Sequence, residues 1–591
     1  MKEIVEEMRS QLKNKYFVAL LLVLGVAIFL RFKYAFGTGM WVDEGRYSRI
    51  GIEIADHILQ YRVAEDWHGQ ITSYPPLYPY LIAFSSYIFG KTDFAVRVVS
   101  PLMAIAGIGV SYFMSREMKN RDIGIVVAAL LTVNPVFWFM SEKILVGVTL
   151  MAVYTATIFA LYIGFSDRED YYYGLWALGP LTALTLMTKQ PAYTLGIVIP
   201  LYFVYRKRNE LVELTGDVEF RKTEFYRTLM DRNYYIGVGL GLAFIGPWML
   251  RNWAVCRFPM CGILKATQFA SKTVNNPLAD VGGTFYFIFS LPFIVTVPVA
   301  LLIVFRVLQY FLYQADRDPD LLIKITAVFI AANTTSYFLV PQWFPLTLLM
   351  SIALFAKTDA EKLLWLWIGA GIGFMSVPDI KVPRYILFTV PALLTVGATG
   401  MHSIASWASR QVENEEVTVF RLMVLITIPI LLISYMQGSA MASRTGFTAI
   451  EPAGEWIDAN APENSNIAAT SPAQMRYFVY PRMAYKIPDN ESALRKMILE
   501  KNIFFVEVDI YEQTQAEWVQ TSIPPYRIPY SVRKAIQNGQ YTQQQLQQLF
   551  SQGTPGYLVP VQSFGQTRMP LTKNQQQPAA VVYAVNRTAL E

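Results

Sequence analysis

The stretch "YFVALLLVLGVAIFLRFKYAFGTGMWVDEGRYSRIGIEIADHIL" (residues 16–59) decides how the chain is read. It opens on an apolar run long enough to cross a bilayer, which needs about 20 mostly apolar residues. Two adjacent acids, Asp43 and Glu44, follow directly beyond it. The run has no small-residue cleavage pattern, so it reads as a signal anchor rather than a removable signal peptide. The lead-in "MKEIVEEMRSQLKNK" reads as a mixed-charge surface helix.

The rest of the chain agrees with a membrane reading. Of 591 residues, 53% are hydrophobic and only 16% are charged, against about 25% charged in soluble domains. Apolar runs predict about thirteen transmembrane helices, at 16–34, 97–115, 122–140, 144–165, 172–187, 190–205, 234–250, 283–306, 321–340, 343–357, 362–377, 385–403 and 420–437. The short ones require bilayer thinning or re-entrant packing. The basic loops "SREMKNRD" (115–122), "YRKRNE" (205–210) and "RKTEFYRTLMDR" (221–232) are expected on the cytoplasmic side. That puts the N-terminus inside, and the first loop (35–96) and everything after 437 outside, with the plasma membrane the expected location.

The first outer loop predicts two interfacial helices. In one, Tyr47, Ile50, Ile54 and Ile58 share a face; the other follows Pro75 and Pro76. The tail alternates helix and strand signals. "GEWIDANAPENSNIAAT" reads as helix, turn and strand, and "IFFVEVDI", "GYLVPVQSF" and "AAVVYAV" read as further strands. The fold class is therefore a polytopic α-helical membrane protein carrying a small α/β soluble domain. Residues 1–437 form the membrane domain and 438–591 the extracytoplasmic one.

Composition limits the chemistry. Net charge is +6, with no aromatic-interleaved basic patch, so no nucleic-acid partner is expected. With three histidines and two cysteines, a His/Cys metal centre is not expected. Cys256 and Cys261, in "CRFPMC", suit either a small disulfide loop in an oxidising compartment or two free thiols. Asn490-Glu491-Ser492 and Asn586-Arg587-Thr588 match glycosylation acceptors and fit an outer domain.

The order of motifs resembles the type C glycosyltransferases, in particular the protein O-mannosyltransferases and the aminoarabinose transferases of lipid A. "WVDEGRYSRIGIEIAD" looks like the acidic first-loop motif. "LTALTLMTKQPAYTLGIVIPLYFV" resembles a Thr-Lys-Gly-Pro hairpin, with Gln190 in the Gly place. "GPWMLRNWAVCRFP" and "VPRYILFTVPALL" resemble later family segments, and "GEWIDANAPENSNIAATSPAQMRYFVYPR" the start of the soluble domain. Two departures stand out. The acid expected in the next outer loop falls on Gly147 of "SEKILVGV", where Glu142 is a substitute out of register and Lys143 stands one place late for the expected Arg. Ser73-Tyr74 replaces the Glu-Lys before the Pro-Pro of the aminoarabinose transferases.

The resemblance implies transfer of a sugar from a polyprenyl-phosphate donor to a protein, glycan or lipid acceptor, with inversion at the anomeric carbon. That chemistry wants a carboxylate for the acceptor hydroxyl and cations for the leaving phosphate. Asp43 is the expected base. Glu44, about 100° round the helix, is expected to bind the acceptor, orient Asp43 or cap the helix. Arg384, Arg97, Lys189 and Lys143 are expected at the donor phosphate, where snorkelling to headgroups is the plain alternative. Glu142, Tyr74 and Tyr78 are expected at the acceptor or sugar, though aromatics are ordinary at a membrane interface. The resemblance fixes no cofactor, and a divalent metal stays open. A transporter or flippase is the competing class; such proteins show repeated halves and mid-span charges, whereas the notable charges here lie near span ends. An inactive family member serving as an assembly subunit is the third reading.

Overall fold

The computed structural model describes residues 14–36, 39–56, 75–213, 223–258, 283–378, 381–411, 418–443, 448–488, 490–509, 555–568 and 576–590. They form two compact units. One comprises Met1–Ala35, Leu59–Leu81 and Arg97–Ala442; the other comprises Phe36–Ile58, Ile82–Val96 and Ser443–Glu591. The second unit thus draws in two pieces of the first outer loop, which the boundary expected at 437/438 assigned to the membrane domain.

The first unit is helical and belongs to an integral membrane protein. Seven described helices are long and apolar enough to cross a bilayer, among them Lys15–Lys33, Val146–Gly164 and Val419–Ala442. An eighth crossing arises if the bent pair Arg121–Val133 and Pro135–Ser141 is one span. Of the thirteen expected runs, several form helices shorter than a full span, such as Tyr171–Leu186 and Leu195–Arg206, or are split at a break. At Asn134 the chain turns by 61° into Pro135, which has no N–H to continue the helix. The Asn134 side chain accepts from the Phe137 N–H at 2.9 Å and donates to the Ile294 carbonyl at 2.8 Å, so the break is satisfied. The run expected at 283–306 is split into Tyr286–Ile294 and Val297–Arg317, and that at 343–357 is a short helix, Phe344–Ser351, between 3-10 turns.

Close packing in this unit uses small residues. A Cβ on Gly179 would lie 1.8 Å from the Gly237 carbonyl oxygen, so the helices Tyr171–Leu186 and Arg232–Cys256 meet backbone to backbone. Glu361 ties three further elements. Its buried carboxylate accepts from Lys119 Nζ at 2.8 Å, from Arg306 and from the Lys357 N–H at 3.2 Å.

The second unit is built on a five-stranded sheet of β1 (Asn466–Ala469), β2 (Ala484–Lys486), β3 (Ile503–Asp509), β4 (Leu558–Arg568) and β5 (Gln576–Val585), in the order β2-β1-β3-β5-β4. β1 runs parallel to β2 and β3, while β5 is antiparallel to β3 and β4. Helices cover both faces. Leu494 and Ile498 of helix Glu491–Glu500 pack on Ala468, Val506 and Val508. Ile450, Ala453, Ile457 and Met475 cover the other face, against Ile467, Ala469 and Phe505. The burial of β3, nearly continuous rather than alternating, follows from this double cover.

Candidate active site

The acidic motif lies at the start of helix Val42–Asp56, in the second unit. Glu44 is fully buried, and its Oε2 accepts from the Trp41 backbone N–H at 2.7 Å. This is the reciprocal half of a capping box: a glutamate in the first turn reaches back to the residue before the helix. Asp43 keeps 38% of its side-chain surface open, with Arg46 Nη1 3.8 Å from its Oδ1. Of the two acids, Asp43 is therefore the one with a face open to an incoming group.

Farther along the same helix, Arg49 donates to Glu53 at 2.6 Å and lies 3.9 Å above the ring of Tyr480. Tyr480 donates its hydroxyl to Asp56, which also pairs with Lys91. Burial and this hydrogen bond push the Tyr480 hydroxyl up to about 12. The expectations at Ile58 and Tyr74 lie outside the described residues.

In the membrane unit, two of the expected cations come together. Lys189 Nζ and the Arg384 guanidinium lie 5.1 Å and 5.8 Å from the ring centre of Tyr385. Lys189 precedes the 3-10 turn Gln190–Thr194, and Arg384 lies in the 3-10 segment Pro383–Thr389. Gly147, at the position of the absent acid, faces the same segment: a Cβ there would sit 3.8 Å from Leu387 Cδ2, an ordinary contact. Helical periodicity gave no reason to single out Tyr385; its only sequence signal was the Arg-Tyr pair.

The other expected residues are buried. Arg97 is 1% exposed, and its Nη1 donates to the Ala35 carbonyl at 3.3 Å. Lys143 is 1% exposed and lies 5.6 Å from the Phe139 ring. Tyr78 is fully buried, its hydroxyl 2.7 Å from Ser100 Oγ, so its ring is packed inside the unit. Glu142, in the loop after Pro135–Ser141, accepts from the Trp138 indole N–H through Oε1, while Oε2 has no hydrogen-bond partner among the described residues. Burial pushes the Glu142 carboxyl up to about 8, against the pull of Trp138, Lys143, Arg31 and Lys33.

Among the described residues, no cluster of three or more His, Cys, Asp or Glu is arranged to hold a metal ion. The Cys256–Cys261 pairing falls outside them.

Each unit thus carries its own group of polar residues, Asp43 with Arg46 in the second and Lys189 with Arg384 beside Tyr385 in the first. The chain has the type C glycosyltransferase fold. It is similar to ArnT from Cupriavidus metallidurans, at 13% identity and a TM-score of 0.55 over 96% of this chain and 98% of that one. The same protein bound to undecaprenyl phosphate matches at 14% identity and a TM-score of 0.54, over 95% and 97% of the two chains. The archaeal oligosaccharyltransferase AglB from Archaeoglobus fulgidus, in complex with an inhibitory peptide and a dolichol-phosphate, matches at 14% identity and a TM-score of 0.52, over 84% and 70%. Residues 73–215 match the family model described as dolichyl-phosphate-mannose-protein mannosyltransferase. Comparison with curated proteins by sequence gives no match.

Proposed function

We propose that the protein is a membrane glycosyltransferase that moves a sugar from a polyprenyl-phosphate donor to an acceptor at the extracytoplasmic face of the plasma membrane, with its N-terminus in the cytoplasm. The observation that carries this reading is the likeness to ArnT along nearly the whole of both chains, soluble domain included. The acceptor hydroxyl attacks the anomeric carbon, the bond from that carbon to the phosphate oxygen breaks, and the lipid phosphate leaves. Asp43 takes the hydroxyl proton; its side chain keeps 38% of its surface exposed, beside Arg46. Lys189 and Arg384 take the charge developing on the phosphate, the guanidinium by a two-pronged contact. A single displacement inverts the sugar. The acceptor is a protein, a glycan or a lipid.

The test is a cleavage assay in which product and location are read together. Protein reconstituted in vesicles receives labelled dolichyl-phosphate mannose, the donor in the description of the matching family, and released dolichyl phosphate is measured. Release coupled to sugar transfer is expected. Movement of intact donor between leaflets without cleavage would replace this reading with that of a flippase.

A further inference from the structure

The helix that bears Asp43 is gripped along one face by the C-terminal α/β domain. Gly45 packs directly on helix Pro472–Phe478: a Cβ there would fall 2.5 Å from Gln474 Cα and 2.7 Å from the Ala473 carbonyl oxygen. One turn on, the Arg49 guanidinium stacks at 3.9 Å on Tyr480, and its Nη1 donates to the Arg476 carbonyl at 3.4 Å. Two turns beyond that, Asp56 accepts from the Tyr480 hydroxyl and pairs with Lys91. At 100° per residue, positions 45, 49 and 56 fall within about 40° of one another, so the three contacts share one face. Asp43 lies about 200° from Gly45, on the opposite side of the helix.

We propose that the C-terminal domain positions the catalytic helix, with Gly45, Arg49, Asp56 and Tyr480 as positioning residues that set the depth and direction in which Asp43 faces its substrate. The inference rests on Asp43 being the acid of the proposed reaction. Its physical basis is leverage. Arg49 stands about 9 Å along the helix axis from Asp43, and a helix transmits a tilt at one point to the other as a rigid rod. A displacement of about 1 Å at a reacting group costs on the order of a hundredfold in rate. The domain is thereby part of the catalytic assembly.

The experiment uses the full-length chain in lipid nanodiscs, with Cys256→Ser and Cys261→Ser as background. In the first arm, Asp43→Cys reports the position of the helix start by its rate of reaction with a soluble maleimide. Tyr480→Ala and Arg49→Ala are expected to change that rate by roughly fivefold or more, the loss of one stacked cation contact. Arg49→Lys, which keeps the cation over the ring, is expected to stay within about twofold of the parent. Tyr480→Phe keeps the ring and removes only the hydrogen bond to Asp56, so it serves if the alanine variant does not fold. In the second arm, with Asp43 intact and dolichyl-phosphate mannose as probe, Tyr480→Phe is expected to lower kcat with KM unchanged. A labelling rate at position 43 that ignores Tyr480 and Arg49 overturns the proposal. So does an unchanged kcat in a chain that turns the donor over. If the parent chain cleaves no donor, the functional reading fails, and the labelling arm still decides whether the domain positions the helix.

Discussion

Asp43 and Glu142 are both carboxylates placed just beyond an apolar helix, and they end in opposite environments. Asp43 stands at the first turn of its helix with 38% of its side chain open and Arg46 3.8 Å away. Glu142 is 1% exposed, holds one indole N–H, and has its carboxyl pushed up to about 8 by burial. An acid that must collect a proton from an arriving hydroxyl needs access. An acid that is 1% exposed, its carboxyl pKa raised by burial, lacks that access. The position of an acid beside a span is thus no guide to its work; desolvation decides.

The largest effect expected belongs to Asp43. Asp43→Asn should lower release of dolichyl phosphate by roughly a hundred- to ten-thousandfold, the usual contribution of a positioned base. The cations come next. Lys189→Ala and Arg384→Ala should each cost on the order of tenfold to a hundredfold in kcat/KM, and Arg384→Lys should restore little, because the ammonium lacks the planar fork. Gly45→Val tests the grip on the acidic helix. With no room beside Gln474, overpacking should lower stability by about 1–3 kcal/mol, read as a drop in the unfolding midpoint of the full chain.

The smallest effect concerns Glu142, and its sign is definite. A carboxyl whose pKa is raised on folding stabilises the protonated folded state. That stability is fully present below the unfolded value, about 4.3, and is lost as pH rises through the folded value, about 8. The wild type should therefore lose thermal stability between those two values, while Glu142→Gln, which cannot ionise, should lose less. A steeper loss in the variant would show that the carboxylate form is the one the fold prefers.

Much of this was legible in the chain. The apolar runs marked the helices, and the turn-separated strands of the tail marked the sheet, because both signals are periodic and local. Glu44 in the first turn of a helix is likewise a local pattern. What could not be read is what depends on distant partners. Nothing in "DEGRYSRI" tells that Gly45 will press on Gln474, 429 positions away in sequence, and draw the loop helix into the C-terminal unit. Tyr78 sits in an apolar helix, Leu77–Phe89, where composition cannot separate a ring facing outward from one bonded to Ser100. Arg384 adjoins Tyr385 in the sequence, but Lys189 lies 195 residues before Arg384, and only the fold brings it to the same ring. The proline break at Asn134 was visible as residues, but whether a break ends a span or bends it depends on what packs around it.

The most direct test sets the two acids against each other on one substrate. Single-turnover cleavage of dolichyl-phosphate mannose should be followed for the wild type, Asp43→Asn and Glu142→Gln in the same nanodiscs. Loss of cleavage in Asp43→Asn, with Glu142→Gln within about threefold of wild type, is the expected result, since only the positioned base should act on the chemical step. Cleavage that survives in Asp43→Asn and vanishes in Glu142→Gln would contradict it and move the chemistry to the buried acid.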